Sequence, residues 1–211
     1  MARATSQRPA KHGYHHGDLR RALIEAAWRL VRKEGVEALT LREVARKVGV
    51  THAAPYHHFA SREALLDALA EEGFEALGKA MSGATQGISD PTERLFVLGR
   101  VYIDEAKAHP ERLQVMFRRH PGPPSEEDAE THGARVFMQL FDAVVACQEA
   151  GVAPEGDPWD LALAAWSLVH GFSTLWVAGP LESMPHYAER FEVLRDTTLR
   201  GLGQAWRVAR R

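Results

Sequence analysis

The sequence predicts an all-α protein of about nine helices with two parts of opposite charge, and three observations predict it. The first is composition. Of 211 residues, 32 are Ala and 21 are Leu against 3 Ile. Ala and Leu lose little side-chain freedom in a helix, whereas β-branched residues lose more. The second is periodicity: apolar residues recur at three- and four-residue spacing in segment after segment, and no stretch alternates as a strand would. The third is charge. Residues 1–60 hold 11 Lys and Arg against 5 Asp and Glu, a net +6, while the remainder holds 15 against 23, a net −8. Six of the 11 His also fall in the first 60. A basic first third on an acidic body implies one part that meets a polyanion and one that does not.

The elements follow in order. Residues 1–13, MARATSQRPAKHG, lack apolar periodicity and read as a disordered basic arm. Asp18 caps a first helix whose apolar stripe is Leu19, Leu23, Ala26, Ala27, Leu30 and Val31, and Gly35 ends it. Thr40 and Glu43 form a capping box for a short second helix that stops at Gly49. Thr51 starts a third short helix ending near Phe59, with Pro55 close to its start. Ser61 caps a longer helix through Leu65, Leu66, Leu69, Phe74 and Leu77. Asp90-Pro91 opens the next, which His109-Pro110 breaks. A shorter helix then holds Leu113, Met116 and Phe117. A Pro-rich acidic loop, PGPPSEEDAETH at 121–132, leads into a long helix to Gly151. Asp157-Pro158 opens a helix that ends at Gly179-Pro180, and the last helix runs from about Pro185 to the C-terminus.

Several classes are set aside. Leu161–Gly179 contains no Asp, Glu, Lys or Arg, close to the length of a membrane span. Ser167, His170 and Thr174 dilute it, however, and no basic cluster or aromatic belt flanks it. It reads as a helix buried on two sides, one against its own domain and one against a second subunit. A single cysteine, Cys147, excludes an internal disulfide framework and a Cys-based zinc site. No apolar stretch follows the basic start as in a signal peptide, so the expected address is the cytoplasm. His12, His15, His16, His52, His57 and His58 lack the partners of a metal site, and no cofactor is implied. There is no Gly-rich phosphate loop and no nucleophile elbow.

Residues 40–59 have helix-turn-helix spacing, with Gly49-Val50 in the turn. Ala45 is small enough for the two helices to approach. The second begins Thr51-His52-Ala53-Ala54, presenting free N–H groups and a positive dipole end to phosphate. The stretch THAAPYHHFASREALL (51–66) resembles the recognition-helix signature of TetR-type repressors. Tyr56, His58, Phe59, Arg62, Glu63 and Leu65 match it, with Arg62 where the family more often has Lys. TLREVARKVGV (40–50) resembles the family's preceding helix. YHHGDLRRALIEAA (14–27) resembles a subgroup with an Ala-Pro-Tyr recognition helix. Trp166, His170 and Gly171 resemble that subgroup's C-terminal regulatory domain, named WHG for those residues.

That resemblance implies an N-terminal helix-turn-helix DNA-binding domain of three helices at 14–60, and a larger C-terminal ligand-binding and dimerisation domain at 61–211. It implies that Thr40 and Tyr56 hydrogen-bond phosphates and that Thr51 caps the recognition helix and faces phosphate. His52, Ala53 and His57 would face base edges in the major groove of double-stranded DNA. Arg62 would meet the DNA backbone, and Lys11, His15, His16 and Arg20 the flanking backbone or minor groove. Phe59 and His58 are expected to be structural.

The acidic body is expected to be a sensor. Its aromatic and sulfur-bearing residues read mostly as core, but Phe74, Tyr102, Met116, Phe117, Trp166 and His170 are candidates for an apolar small-molecule pocket. His170, one turn from Trp166 in an otherwise apolar helix, needs a polar partner: a ligand, a water or a core group. The helices at about 158–178 and 186–207 are expected to pair with their copies in a homodimer, through Leu168, Leu175, Phe191, Leu194, Thr198 and Leu202. The expected function is a repressor released by a small hydrophobic effector. A His-dependent helical enzyme and an interaction adaptor with a vestigial helix-turn-helix are the rival classes.

Overall fold

The computed structural model describes residues 16–118, 131–181 and 186–209, with the backbone alone for 16–18 and 207–209. The basic arm, including Lys11 and His15, and nearly all of the 121–132 loop lie outside the described residues, as does the side chain of His16. Among the described residues there are eight α-helices and no strand. The chain divides into two compact units, residues 1–65 and 66–211.

In the first unit α1 spans His16–Glu34 and α2 spans Leu41–Val48. α1 is already helical at His16, so Asp18 lies in its first turn and not at the N-cap position. Leu23, Ala26, Ala27, Leu30 and Val31 bury its apolar stripe. Gly35 takes φ +83°, and a 3₁₀ turn over Val36–Ala38 leads to α2. Thr40 accepts the Glu43 N–H at 3.1 Å, the N-cap half of the expected box. The Glu43 carboxylate turns forward to Arg46, whose Nε and Nη2 donate at 2.9 and 2.6 Å. Gly49 closes α2 in the left-handed region at φ +80°. The N–H groups of Gly49 and Val50 both return to the Ala45 carbonyl.

The expected third α-helix at 51–59 is instead a single 3₁₀ turn, Ala54–His57. Its bonds are short-range: Ala54 N–H to Thr51 O, Tyr56 N–H to Ala53 O and His58 N–H to Pro55 O. Pro55 has no N–H to give, and a segment of this length closes too few i→i−4 bonds to offset helix nucleation. That is why eight α-helices stand where nine were expected.

α3 spans Arg62–Thr85 and continues into the second unit. There it is joined by α4 (Pro91–Ala108), α5 (Pro110–Met116), α6 (His132–Glu149), α7 (Pro158–Val177) and α8 (Phe191–Ala209). Asp90, Thr131 and Asp157 accept first-turn N–H groups of α4, α6 and α7. α8 starts later than expected, after a 3₁₀ turn at Ala188–Arg190.

α4 packs against α6, α7 and α8. Its close approach to α8 depends on Gly99, where a Cβ would lie 2.6 Å from Leu199 Cδ2. The main core includes Leu77, Leu98, Tyr102, Ile103, Leu113 and Val169, and a second cluster holds Phe137, Val144, Cys147 and Trp206. Cys147 is fully buried, and burial pushes its thiol up to about 11. Arg195, buried on α8, donates to Asp104 of α4 at 2.7 Å and to Asp196 at 2.9 Å.

Candidate functional site

The first candidate is the turn between α2 and α3. Thr51, His52, Ala53, Tyr56 and His57 are all exposed, Tyr56 to 60%, while Pro55 and Phe59 between and after them are buried. The tight turn therefore divides the segment into an inward anchor and an outward polar face. Thr40 is exposed too, and its hydroxyl keeps a proton to donate beyond the one bond it accepts. Thr51 does not cap the segment with its side chain. The N-cap position is Ala53, with no side-chain cap, and Thr51 contributes its carbonyl.

Arg62 is also placed differently from expectation. Its Nε donates to the Leu39 carbonyl at 2.7 Å and its Nη2 to the Val36 carbonyl at 2.8 Å. The guanidinium is a staple between the start of α3 and the link that follows α1. A planar fork can hold two carbonyls at once, so two of the Arg62 donors are occupied within this unit. Arg20 is exposed, and its guanidinium lies 5.4 Å from the centre of the Phe59 ring.

The second candidate lies in the second unit. The Tyr102 hydroxyl and His170 Nδ1 are 2.7 Å apart. The imidazole is flanked by Phe117, with centroids 4.4 Å apart, and by Trp166, stacked at 5.0 Å. Phe74 meets Phe117 edge-on at 5.4 Å. The core group that satisfies His170 is thus Tyr102. Burial lowers the His170 pKa, so the ring is neutral. Burial also raises Tyr102.

Beside this cluster is a small pocket lined by Gly73, Leu77, Tyr102, Glu105, Ala106, His109, Arg112, Leu113 and Met116. Its volume is about 20 Å³, room for about one water. A drug-sized molecule enters only if side chains move. Met116 is the obvious one: it sits in a notch at Gly73, where a Cβ would be 2.8 Å from its sulfur. Phe74, Tyr102, Met116, Phe117, Trp166 and His170 are therefore brought into one region. The lining residues Glu105, His109 and Arg112 were not anticipated. A glycine in the interior of a long helix, at Gly73, was the signal in the sequence that a neighbour approaches there.

The third candidate is the outer face of α7 and α8. Leu168 and Leu175 are exposed, as is Leu163, and nothing would meet a Cβ on Gly171. On α8 the expected face is rotated. Phe191 is 3% exposed, packed against Trp176 and under the Lys107 ammonium at 3.8 Å. Leu194, Thr198 and Leu202 are half-buried. Val193, at 59%, Thr197, Gly201 and Ala205 form an outward stripe, beside the exposed Glu192, Arg200 and Gln204. Phe191 is drawn inward because the aromatic group of Phe172, Trp176 and Tyr187 offers it more apolar contact than the surface does.

Among the described residues no helix is long and apolar enough to cross a membrane, and no group of three or more His, Cys, Asp or Glu is placed to hold a metal.

Comparison with known proteins agrees with these features. Residues 23–69 match the bacterial regulatory proteins of the tetR family, and residues 95–198 match the tetracyclin repressor-like C-terminal domain. The second match contains Trp166, His170 and Gly171. The chain is 35% identical over 166 residues to the HTH-type transcriptional regulator BetI of Rhizobium meliloti (strain 1021), spanning 79% of this chain and 80% of that one. A solved protein of unknown function from Rhodococcus sp. RHA1 superposes with a TM-score of 0.74. It is 38% identical, over 92% of this chain and 100% of that chain. AibR, solved in complex with isovaleryl coenzyme A and operator DNA, superposes with a TM-score of 0.57 at 25% identity, over 73% of this chain and 85% of that one. The chain belongs to the TetR family of transcriptional regulators, with a helix-turn-helix head and a helical C-terminal domain, and is not an enzyme.

Proposed function

We propose that this regulator is a cytoplasmic homodimeric repressor whose grip on a double-stranded operator is relieved by a small, largely apolar effector bound at the His170 cluster. The single observation that carries the effector reading is the convergence of Phe74, Phe117, Trp166 and the Tyr102–His170 pair beside a small pocket. Apolar walls with a few placed polar groups are the usual form of a small-molecule site. Tyr56 and Thr40 would hold phosphates, and His52, Ala53 and His57 would read base edges, because their side chains are exposed on one short turn. Thr51 would offer its exposed hydroxyl to phosphate, and His16 and Arg20 the flanking backbone.

Dimerisation is supported by the uncharged stripe of Leu163, Leu168, Leu175, Val193 and Gly201 left open on α7 and α8. A dimer sets two recognition turns on two half-sites about 34–36 Å apart, or a multiple of that. For release, the effector must bind the non-operator conformation more tightly. Selection from a random DNA pool should enrich a near-palindrome. A screen of apolar compounds should then find one that dissociates the complex, and His170→Phe should lose that response while keeping operator affinity. A pool with no enriched motif, or a variant that responds unchanged, would overturn the reading.

A further inference from the structure

The break at His109-Pro110 builds a corner that gathers polar groups. In a continuous helix residues 105 and 112 would stand about 10 Å apart along the axis, at about 1.5 Å per residue. Here α4 ends as the His109 N–H bonds the Glu105 carbonyl, and α5 begins as the Arg112 N–H bonds the His109 carbonyl. Arg112 Nη1 and Glu105 Oε2 lie 3.7 Å apart across this corner. Both side chains line the small pocket, together with His109. The side chains of Arg112, Glu105 and His109 are 31%, 32% and 34% exposed, whereas Leu77, Leu113 and Met116 on the same lining are buried. The pocket is thus two-sided, with an apolar wall within the core and a charged wall in reach of water. Tyr102 lines it and also meets His170, so pocket and aromatic cluster share a wall.

A two-sided pocket fits an amphipathic molecule, whose charged end stays at the solvated wall and escapes the cost of burying an ion. The sign of that charge follows from the donors. At 3.7 Å, Glu105 holds the guanidinium by attraction but is beyond hydrogen-bond reach, and none of the five guanidinium N–H donors is committed to an acceptor among the described residues. His109 adds a second nitrogen group to the same wall, and Glu105 is the one carboxylate on the lining. Glu111, the other carboxylate nearby, is buried and lies 3.9 Å from His109 Nδ1. We propose that the effector is an apolar monocarboxylate, its carboxylate received by the Arg112 fork at the α4–α5 corner and its tail admitted as Met116 leaves its seat at Gly73. Arg112 can take two oxygens side by side, whereas an ammonium would meet one carboxylate with a guanidinium already beside it. This rests on the effector reading above and specifies its chemistry.

Calorimetry on the full-length protein with hexanoate, 1-hexanol and hexylammonium tests the proposal, since the three share a tail and differ only in the end group. Hexanoate should bind about tenfold more tightly than the alcohol, the low end for a charged hydrogen bond, as befits a wall open to water. Hexylammonium should bind more weakly than either. In Arg112→Gln the preference for hexanoate over hexanol should vanish, and Arg112→Lys, which keeps the charge without the fork, should retain part of it. The preference is a ratio within one variant, so a loss of folded protein does not mimic it. Met116→Ala should bind all three more tightly, because the tail no longer has to displace the thioether. Hexanol or hexylammonium binding as tightly as hexanoate, or a preference that survives in Arg112→Gln, refutes the carboxylate proposal but leaves the effector site standing. Unchanged affinity in Met116→Ala overturns the displacement of Met116. Failure of all three to bind both the native protein and Met116→Ala refutes the site itself, and the proposal with it.

Discussion

Replacing Arg62 with Met should destabilise the DNA-binding unit without removing a DNA contact. The substitution keeps the aliphatic stem and deletes both N–H···O bonds, to the Leu39 and Val36 carbonyls at 2.7 and 2.8 Å. Hydrogen bonds from a charged donor contribute about 1.5–3 kcal/mol each. The Arg62 side chain is 29% exposed, so water partly replaces the lost partner and the low end of the range applies, roughly 2–3 kcal/mol for the two. The contacts to Glu37 and Glu63 at 3.8 and 3.7 Å are solvated and contribute little. Arg62→Lys should fall about halfway, since a compact ammonium cannot span both carbonyls as the fork does. Amide hydrogen exchange followed by mass spectrometry would read this directly. Protection over residues 36–48 should fall by roughly 30- to 150-fold in Arg62→Met, at 1.4 kcal/mol per decade. At low temperature, where the variant remains folded, the dependence of operator affinity on salt should keep its slope. A phosphate contact would behave oppositely: unchanged exchange, and a slope reduced by roughly one charge. That pair of results would refute the staple.

Four further outcomes follow from the structure. Tyr56→Phe should weaken binding to all DNA sequences alike, whereas His57→Ala should change base preference at one position by roughly 1–3 kcal/mol, as competition binding to permuted operators would show. Leu175→Glu and Val193→Glu, each placing a charge on an exposed apolar stripe, should convert dimer to folded monomer by sedimentation. Phe191→Glu should instead unfold the second unit, because Phe191 is 3% exposed. Burial holds His170 below its ordinary 6.5, so the unfolded state takes up the proton first as pH falls. Stability should be flat above about pH 6.5 and decline below it, and in urea titrations His170→Phe should lose that part of the decline. Native Cys147, pushed up to about 11 and fully buried, should react with a thiol reagent orders of magnitude more slowly than the unfolded chain.

Much of this molecule is written in local sequence. Helix order, the stops at Gly49 and His109-Pro110, and the caps at Thr40, Asp90 and Asp157 depend on residues three or four positions apart, so spacing alone reveals them. The exposed polar turn at 51–57 is equally local. Its status as a 3₁₀ turn was less legible, because α-helix and 3₁₀ turn share their start signals and differ only in how many bonds a short segment can close. The partner of His170 is 68 positions away in Tyr102, and the carbonyls held by Arg62 are 23 and 26 positions away. No periodicity encodes those separations. The rotation of α8 was hidden for the same reason. Phe191 and Val193 are both apolar, and which one turns inward is decided by the aromatic side chains of α7 that reach it. Pattern along the chain determined the helices and which of their residues are apolar. Packing between distant segments decided which apolar residue faces the core, which arginine is occupied, and which hydroxyl meets the buried histidine, because burial and partner geometry exist only once the chain has folded.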